Sequence, residues 1–144
     1  MSVQKQLATY EDARATYPAL GKGWRRKCPN CGKGSLMEGY LKVRHACDVC
    51  GEEFYHHRAD DGPAYLTILI VGHVTMPMLH FAFVRWRPDP VTLLIIFGIG
   101  CVLLSLYLLP RLKGAIVAFQ WARYMHGFSA IQQSFAKKGE NDRR

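Results

Sequence analysis

Charge is almost missing from the middle of this chain: between Ala64 and Pro110 the only charged residues are Arg85, Arg87 and Asp89, all in one short stretch. Acidic residues are scarce as well, eleven Asp and Glu against nineteen Lys and Arg, for a net charge of +8, so an anionic surface is the expected neighbour. No low-complexity tract is present, and the only internal repeat is a pair of CxxC units. Residues 1–27 carry charges throughout and contain no apolar run of seven or more, so no cleavable signal peptide is expected and the amino terminus is expected to be retained. A chain of 144 residues is expected to make one small domain or a modest membrane protein rather than a multidomain enzyme.

What is present is strongly segregated. Residues 64–84 form an uncharged apolar run of 21, about 32 Å long as a helix, and residues 91–109 form a second of 19. Each suffices to cross a bilayer. Between them Arg85-Trp86-Arg87-Pro88-Asp89-Pro90 supplies helix-stopping prolines and an interfacial Trp86, so residues 59–110 read as a two-span transmembrane hairpin. A buried hairpin in a soluble domain is the alternative, but the chain has too little other apolar surface to wrap it. Ten Lys and Arg precede Ala64, two lie in the loop and seven follow Leu109, which places both termini in the cytoplasm by the positive-inside rule.

On either side of the spans the signals are weaker. Residues 1–23 read as a flexible lead-in, because Pro18, Gly21 and Gly23 interrupt any helical period. Pro110 is expected to end the second span. Beyond it, Val117, Trp121, Tyr124, Phe128, Ile131 and Phe135 make one apolar stripe, which predicts an amphipathic interfacial helix over 111–138, followed by a polar tail at 139–144. Gln120, Arg123 and His126 argue against a third span.

Metal chemistry is written in Cys28-Pro29-Asn30-Cys31-Gly32 and Cys47-Asp48-Val49-Cys50-Gly51. Two CxxC pairs fifteen residues apart match a four-thiolate zinc ribbon, because each tight knuckle offers two sulfurs and a tetrahedral ion needs four. Residues 24–58 therefore read as a cytoplasmic zinc ribbon with β-hairpin knuckles, one structural zinc per chain, and a hairpin in 35–43 that carries the second knuckle beside the first. A redox dithiol or a disulfide pair fits less well with a reducing compartment. A closed four-thiolate site also leaves no position for catalysis.

Several other residues could carry chemistry. His56, His57, Asp60 and Asp61 crowd the edge of the first span and form a candidate second metal or heme-propionate site, or a partner contact; alternatively Asp61 caps the span with Pro63 in its first turn. Within the spans, His73, Met76 and His80 share a helix face, and His73 and Cys101 lie about 13 Å and 12 Å deep, close enough in depth to meet. Imidazole, thioether and thiol suit copper(I), while backbone-bonded histidines and a packing stripe of Gly98, Cys101 and Ser105 form the plainer alternative. His126 is a weaker candidate.

The run of Arg26 to Gly32, Tyr40-Leu41-Lys42, Cys47 to Gly51, HHRADD at 56–61, Gly72-His73 and QWARYMHGF at 120–128 resembles, in order, the bacterial membrane family catalogued as domain of unknown function 983, across residues 24–128. Members of that family are often encoded beside cytochrome c oxidase subunits and their assembly proteins. The resemblance therefore implies a non-enzymatic assembly or adaptor factor of the bacterial inner membrane, acting in heme-copper oxidase biogenesis with an oxidase subunit or assembly factor as partner. A membrane copper- or heme-handling protein is the alternative. An interfacial metal-dependent hydrolase built on HHRADD is a remote one, lacking a nucleophile. No nucleic-acid partner is expected, since aromatic stacking groups are sparse near Arg25, Arg26, Lys27 and Lys33.

Overall fold

The computed structural model describes residues 15–55, 57–58, 61–125 and 128, and these described residues contain three helices: α1 (Thr16–Trp24), α2 (Gly62–Trp86) and α3 (Pro90–Ala122). The metal-knuckle segment runs between α1 and α2, and α2 and α3 form the hairpin.

The turn between the spans is built from local chemistry. α2 ends as Arg87 enters the left-handed region at φ 43°, donating its N–H to the Phe83 carbonyl at 3.0 Å. Asp89 then caps α3, its carboxylate accepting from the Val91 N–H at 3.0 Å, with Pro90 at a position whose N–H would be orphaned anyway. Most apolar side chains of both helices face outward; Ile68 and Leu94 are each 74% exposed. Only 11% and 6% of the most apolar windows are buried, the reverse of a soluble core. Two helices long and apolar enough to cross a bilayer make this a membrane protein.

The second span does not stop at Pro110. α3 continues for 33 residues, about 50 Å, whereas the hydrocarbon layer is about 30 Å thick, so its last turns project beyond the lipid. Proline disrupts a helix chiefly by withholding an N–H from the carbonyl four residues earlier. Here that carbonyl is Leu106's, and the Tyr40 hydroxyl from the knuckle segment donates to it instead. The expected break at 110 and the separate interfacial helix over 111–138 are therefore corrected: residues 111–122 are the end of α3, and residues 129–144 lie outside the described residues.

The lead-in reading of 1–23 is corrected at its end, because residues 16–24 are helical, while residues 1–14 lie outside the described residues. Nine residues make no stable helix alone. α1 is held by its neighbour: a Cβ built on Gly23 would strike the Gly114 carbonyl and Ala118, and one on Gly114 would strike the Gly23 carbonyl. Two glycines thus allow α1 and α3 to cross nearly backbone to backbone, and Pro18 sits in the first turn, where it costs no hydrogen bond.

Around this crossing one core collects Ala19 from α1, Cys28, Leu36, Met37, Val43, Cys47 and Phe54 from the knuckle segment, and Val117, Trp121 and Ala122 from α3, with Phe128. Leu36, Phe54 and Val117 are fully buried, each worth about 1.5–3 kcal/mol. Val117, Trp121 and Phe128 of the stripe assigned to the membrane surface instead pack in this core with the knuckle segment, and Ile131 and Phe135 lie outside the described residues. Among the described residues no β-strand forms; the expected hairpins are reduced to isolated antiparallel bridges at Lys27–Ser35, Met37–Val43 and Ala46–Glu53. The turns follow one another too closely for a longer ladder. A smaller cluster of Val71, Leu108 and Leu112, with Cys101 and Leu104 against it, joins the spans on the knuckle side.

Candidate metal centre

Each knuckle closes by the same backbone bonds. Gly32 donates its N–H to the Cys28 carbonyl at 2.9 Å, and Gly51 donates to that of Cys47 at 3.0 Å. Both glycines are left-handed, at φ 70° and 74°, as a turn immediately after each CxxC requires. Lys22 of α1 donates to the carbonyls of Pro29 and Asn30 at 3.3 Å each, fastening the first knuckle to the helix. Gly34 matters for a different reason: a Cβ there would collide with the Cys47 sulfur.

The result is a compact sulfur quartet. The Sγ atoms of Cys28, Cys31, Cys47 and Cys50 all lie within 4.8 Å of one another, with Cys28–Cys50 at 3.6 Å and Cys31–Cys47 at 3.8 Å. A tetrahedral ion with metal–sulfur bonds of about 2.3 Å requires sulfur–sulfur edges of about 3.8 Å, so the quartet fits such an ion. Cys28 and Cys47 are buried in the core, Cys31 is half-buried and Cys50 is exposed, which gives an entry side. Polar hydrogens also point at the sulfurs: the Val49 N–H reaches Cys47 Sγ at 3.5 Å and Asn30 Nδ2 reaches Cys50 Sγ at 3.7 Å.

These environments split the thiol acidities. Burial raises Cys28 well above the ordinary cysteine range despite N–H donors from Cys31 and Asn30. The N–H groups of Gly34 and Lys33 draw Cys31 down to about 6. Cys50 is raised, first by desolvation of a sulfur that faces the cluster. The four cysteines are positioned to bind a metal ion.

The other candidates are placed less coherently. His56, Asp60 and His126 lie outside the described residues. The Nδ1 of His57 bonds to the Phe54 carbonyl at 2.7 Å. Asp61 stands at the N-cap of α2, but its carboxylate makes no cap bond, which removes the capping role considered for it. His73 donates from Nδ1 to the Leu69 carbonyl of its own helix at 2.8 Å, and Cys101 pairs with the Thr75 hydroxyl at 3.4 Å rather than with His73. Met76, His80 and Cys101 line one groove of about 570 Å³ between the spans. Among the described residues the cysteine quartet is the only metal-competent cluster of His, Cys, Asp and Glu.

Sequence reasoning missed the residues that tie the metal unit to the membrane helices. The Gln120 side chain pairs with both backbone groups of Arg58, accepting from its N–H at 3.0 Å and donating to its carbonyl at 2.8 Å. Trp121 Nε1 donates to a Glu52 carboxylate oxygen at 2.8 Å. Gln120 and Trp121 stood inside the quoted QWARYMHGF run and Tyr40 inside the quoted Tyr40-Leu41-Lys42, which was the available signal; for Glu52 there was none.

The class of protein is thus a membrane hairpin whose emergent end carries four cysteines positioned to bind a metal ion. Comparison of the chain with family models places it further: residues 37–121, more than half of it, match the family described as "Protein of unknown function (DUF983)", and the chain belongs to that family. The match spans the second knuckle, both helices and Trp121, and begins after the first knuckle, so it is narrower than the resemblance over 24–128. No curated protein and no solved structure matches the chain.

Proposed function

We propose that this protein is a non-enzymatic adaptor or assembly factor of the bacterial inner membrane, with one structural zinc in the Cys28, Cys31, Cys47, Cys50 site. The observation that carries the reading is the shared core: the metal unit buries Cys28 and Cys47 together with Val117 and Trp121 of α3. An ion that folds this unit also fixes its position on the end of a membrane span, which suits a surface that presents itself to a membrane partner. Four thiolates saturate the ion, which favours a structural over a catalytic role. A closed tetrahedral set of four thiolates from two CxxC knuckles suits zinc; iron takes the same donor set, so elemental analysis decides between them. The charge asymmetry of the segments supports a cytoplasmic metal unit, and the family resemblance supports heme-copper oxidase biogenesis with an oxidase subunit or assembly factor as partner.

The test is purification in a gentle detergent, with elemental analysis and mass spectrometry on one sample. One zinc per chain with co-purifying oxidase components is expected; an oxidase-free preparation overturns the partner, and iron or copper in the quartet overturns the metal. Labelling of an Arg87→Cys variant from the outside tests the orientation.

A second reading rests on the groove that gathers Met76, His80 and Cys101 between the spans, three soft or borderline ligand types suited to copper(I) handling. Copper bound in addition to zinc, and lost on replacing Met76 and His80 with Leu, is its signature.

A further inference from the structure

Away from the sulfur quartet, Arg25, Arg26, Lys27 and Lys33 line one pocket of about 310 Å³. Its remaining wall is neutral, formed by residues such as Ser35 and Gly39. The ion pairs among the described residues are Lys42–Glu38 and Arg44–Asp48, so none of these four cations is neutralised by a described acid. The pocket is also preformed. Arg26 is held in the left-handed region at φ 60°, an unfavourable conformation for a side chain of its size, by its N–H to the Gly23 carbonyl and by the Leu36 N–H to its own carbonyl, both at 2.9 Å. The bridge between Lys27 and Ser35 fixes the two walls against each other.

Its depth follows from the residues beside it. Trp24, which precedes Arg25, lies 6.0 Å from the Arg111 guanidinium, and that guanidinium sits 4.3 Å over the Tyr107 ring. Tyr40, which follows Gly39, donates to the Leu106 carbonyl. Both walls therefore begin where α3 leaves its apolar run and meets its first charge, ringed by Trp24, Tyr40 and Tyr107 as an interfacial aromatic belt would be. No described acid compensates the four cations, and their place beside this aromatic ring is the depth at which a bilayer's phosphates lie.

We propose that this pocket is a headgroup site for an anionic phospholipid, with Arg25, Arg26, Lys27 and Lys33 gathering its phosphates. The four charges match a two-phosphate headgroup such as cardiolipin's better than a single phosphate. The inference stands independently of the adaptor reading, because it uses neither the metal nor the partner.

The experiment is native mass spectrometry of the full chain as purified in detergent, titrated with cardiolipin, phosphatidylglycerol, phosphatidylcholine and inorganic phosphate. Cardiolipin is expected to bind most tightly and phosphatidylcholine at least tenfold more weakly. Joint Arg25→Gln and Lys33→Gln changes should weaken cardiolipin about thirtyfold, on the scale of basic side chains near a charged bilayer. Joint Arg85→Gln and Arg87→Gln changes, in the loop at the other end of the spans, should leave it unchanged. Thermal unfolding in the same detergent reports whether each variant is folded; if the first pair is unfolded, the wild-type lipid series and a Lys27→Gln variant decide. Equal binding of cardiolipin and phosphatidylcholine, or equal weakening by the two pairs, overturns the site. Inorganic phosphate binding as tightly as cardiolipin assigns the pocket to a soluble anion and overturns the lipid.

Discussion

At the scale of single residues, Tyr40 and Pro110 form a compensating pair. Proline leaves the Leu106 carbonyl without its helical donor, and the Tyr40 hydroxyl takes the vacant place. Tyr40→Phe is expected to destabilise the metal unit by about 0.5–1.5 kcal/mol, the net worth of one hydrogen bond. With Pro110→Ala the helix regains its own donor, so the same Tyr40 change should cost less than half as much; thermal unfolding of the four variants in one detergent measures the coupling. Gly34 is similarly exacting, since any Cβ there meets the Cys47 sulfur. Gly34→Ala should therefore lower zinc affinity by ten- to a hundredfold, read in competition with a chelator, while membrane abundance stays normal. Neither constraint is visible in the sequence, because a missing donor and a crowded sulfur are defined by atoms far along the chain.

At the scale of elements, the crossing of α1 on α3 is a backbone contact that exists only because both Gly23 and Gly114 lack a Cβ. Gly114→Ala is expected to part the helices at a cost of about 3 kcal/mol or more, at the upper end of overpacking. Limited proteolysis should then cut near α1 while the spans stay protected; an uncut, zinc-replete variant would show that the helices can shift apart cheaply. The spans themselves were legible because lipid demands an unbroken apolar surface and internal hydrogen bonding over a fixed length. α1 was not, since glycine and proline lower its propensity locally while a neighbouring helix restores it. The apolar stripe after Pro110 was seen correctly as a stripe at Val117 and Trp121. Its partner is the metal unit's core, which a stripe alone cannot distinguish from a membrane surface.

At the scale of the whole molecule, the cysteine knuckles and the helices share one core. Chelation, or Cys28→Ser, is expected to expose Trp121 and red-shift tryptophan emission, since the ion supplies about 10–16 kcal/mol to a unit with few other buried side chains. Carbonate extraction should still leave the protein in the membrane, because two outward-facing apolar helices insert without the metal. Zinc affinity should also fall steeply with acid. Cys28 and Cys50 have raised pKa values, so without metal they hold their protons at neutral pH, and binding must expel both. Cys31, at about 6, is already a thiolate at pH 7 and adds a third proton only below that value. The sign is therefore that affinity rises with pH, with at least two protons released per zinc above pH 6 and at least three below it; zinc competition titrations between pH 5.5 and 8 measure the slope.

The sequence by itself determined the features whose cause is local or imposed by solvent: two spans, because a bilayer accepts nothing but apolar residues at that length, and a sulfur quartet, because two sulfurs three residues apart, followed by glycine, make a knuckle wherever they occur. Family membership was legible for the same reason, in runs of adjacent residues. The tertiary structure alone decided that the metal unit and the end of α3 are one body. That union rests on Gly23 against Gly114, Tyr40 on Leu106, Gln120 on Arg58 and Trp121 on Glu52, contacts across roughly sixty to ninety residues of chain. Local propensity carries no information about a partner so far away. Pro110 and α1 were misread where such a distant partner supplied the missing hydrogen bond or the missing packing.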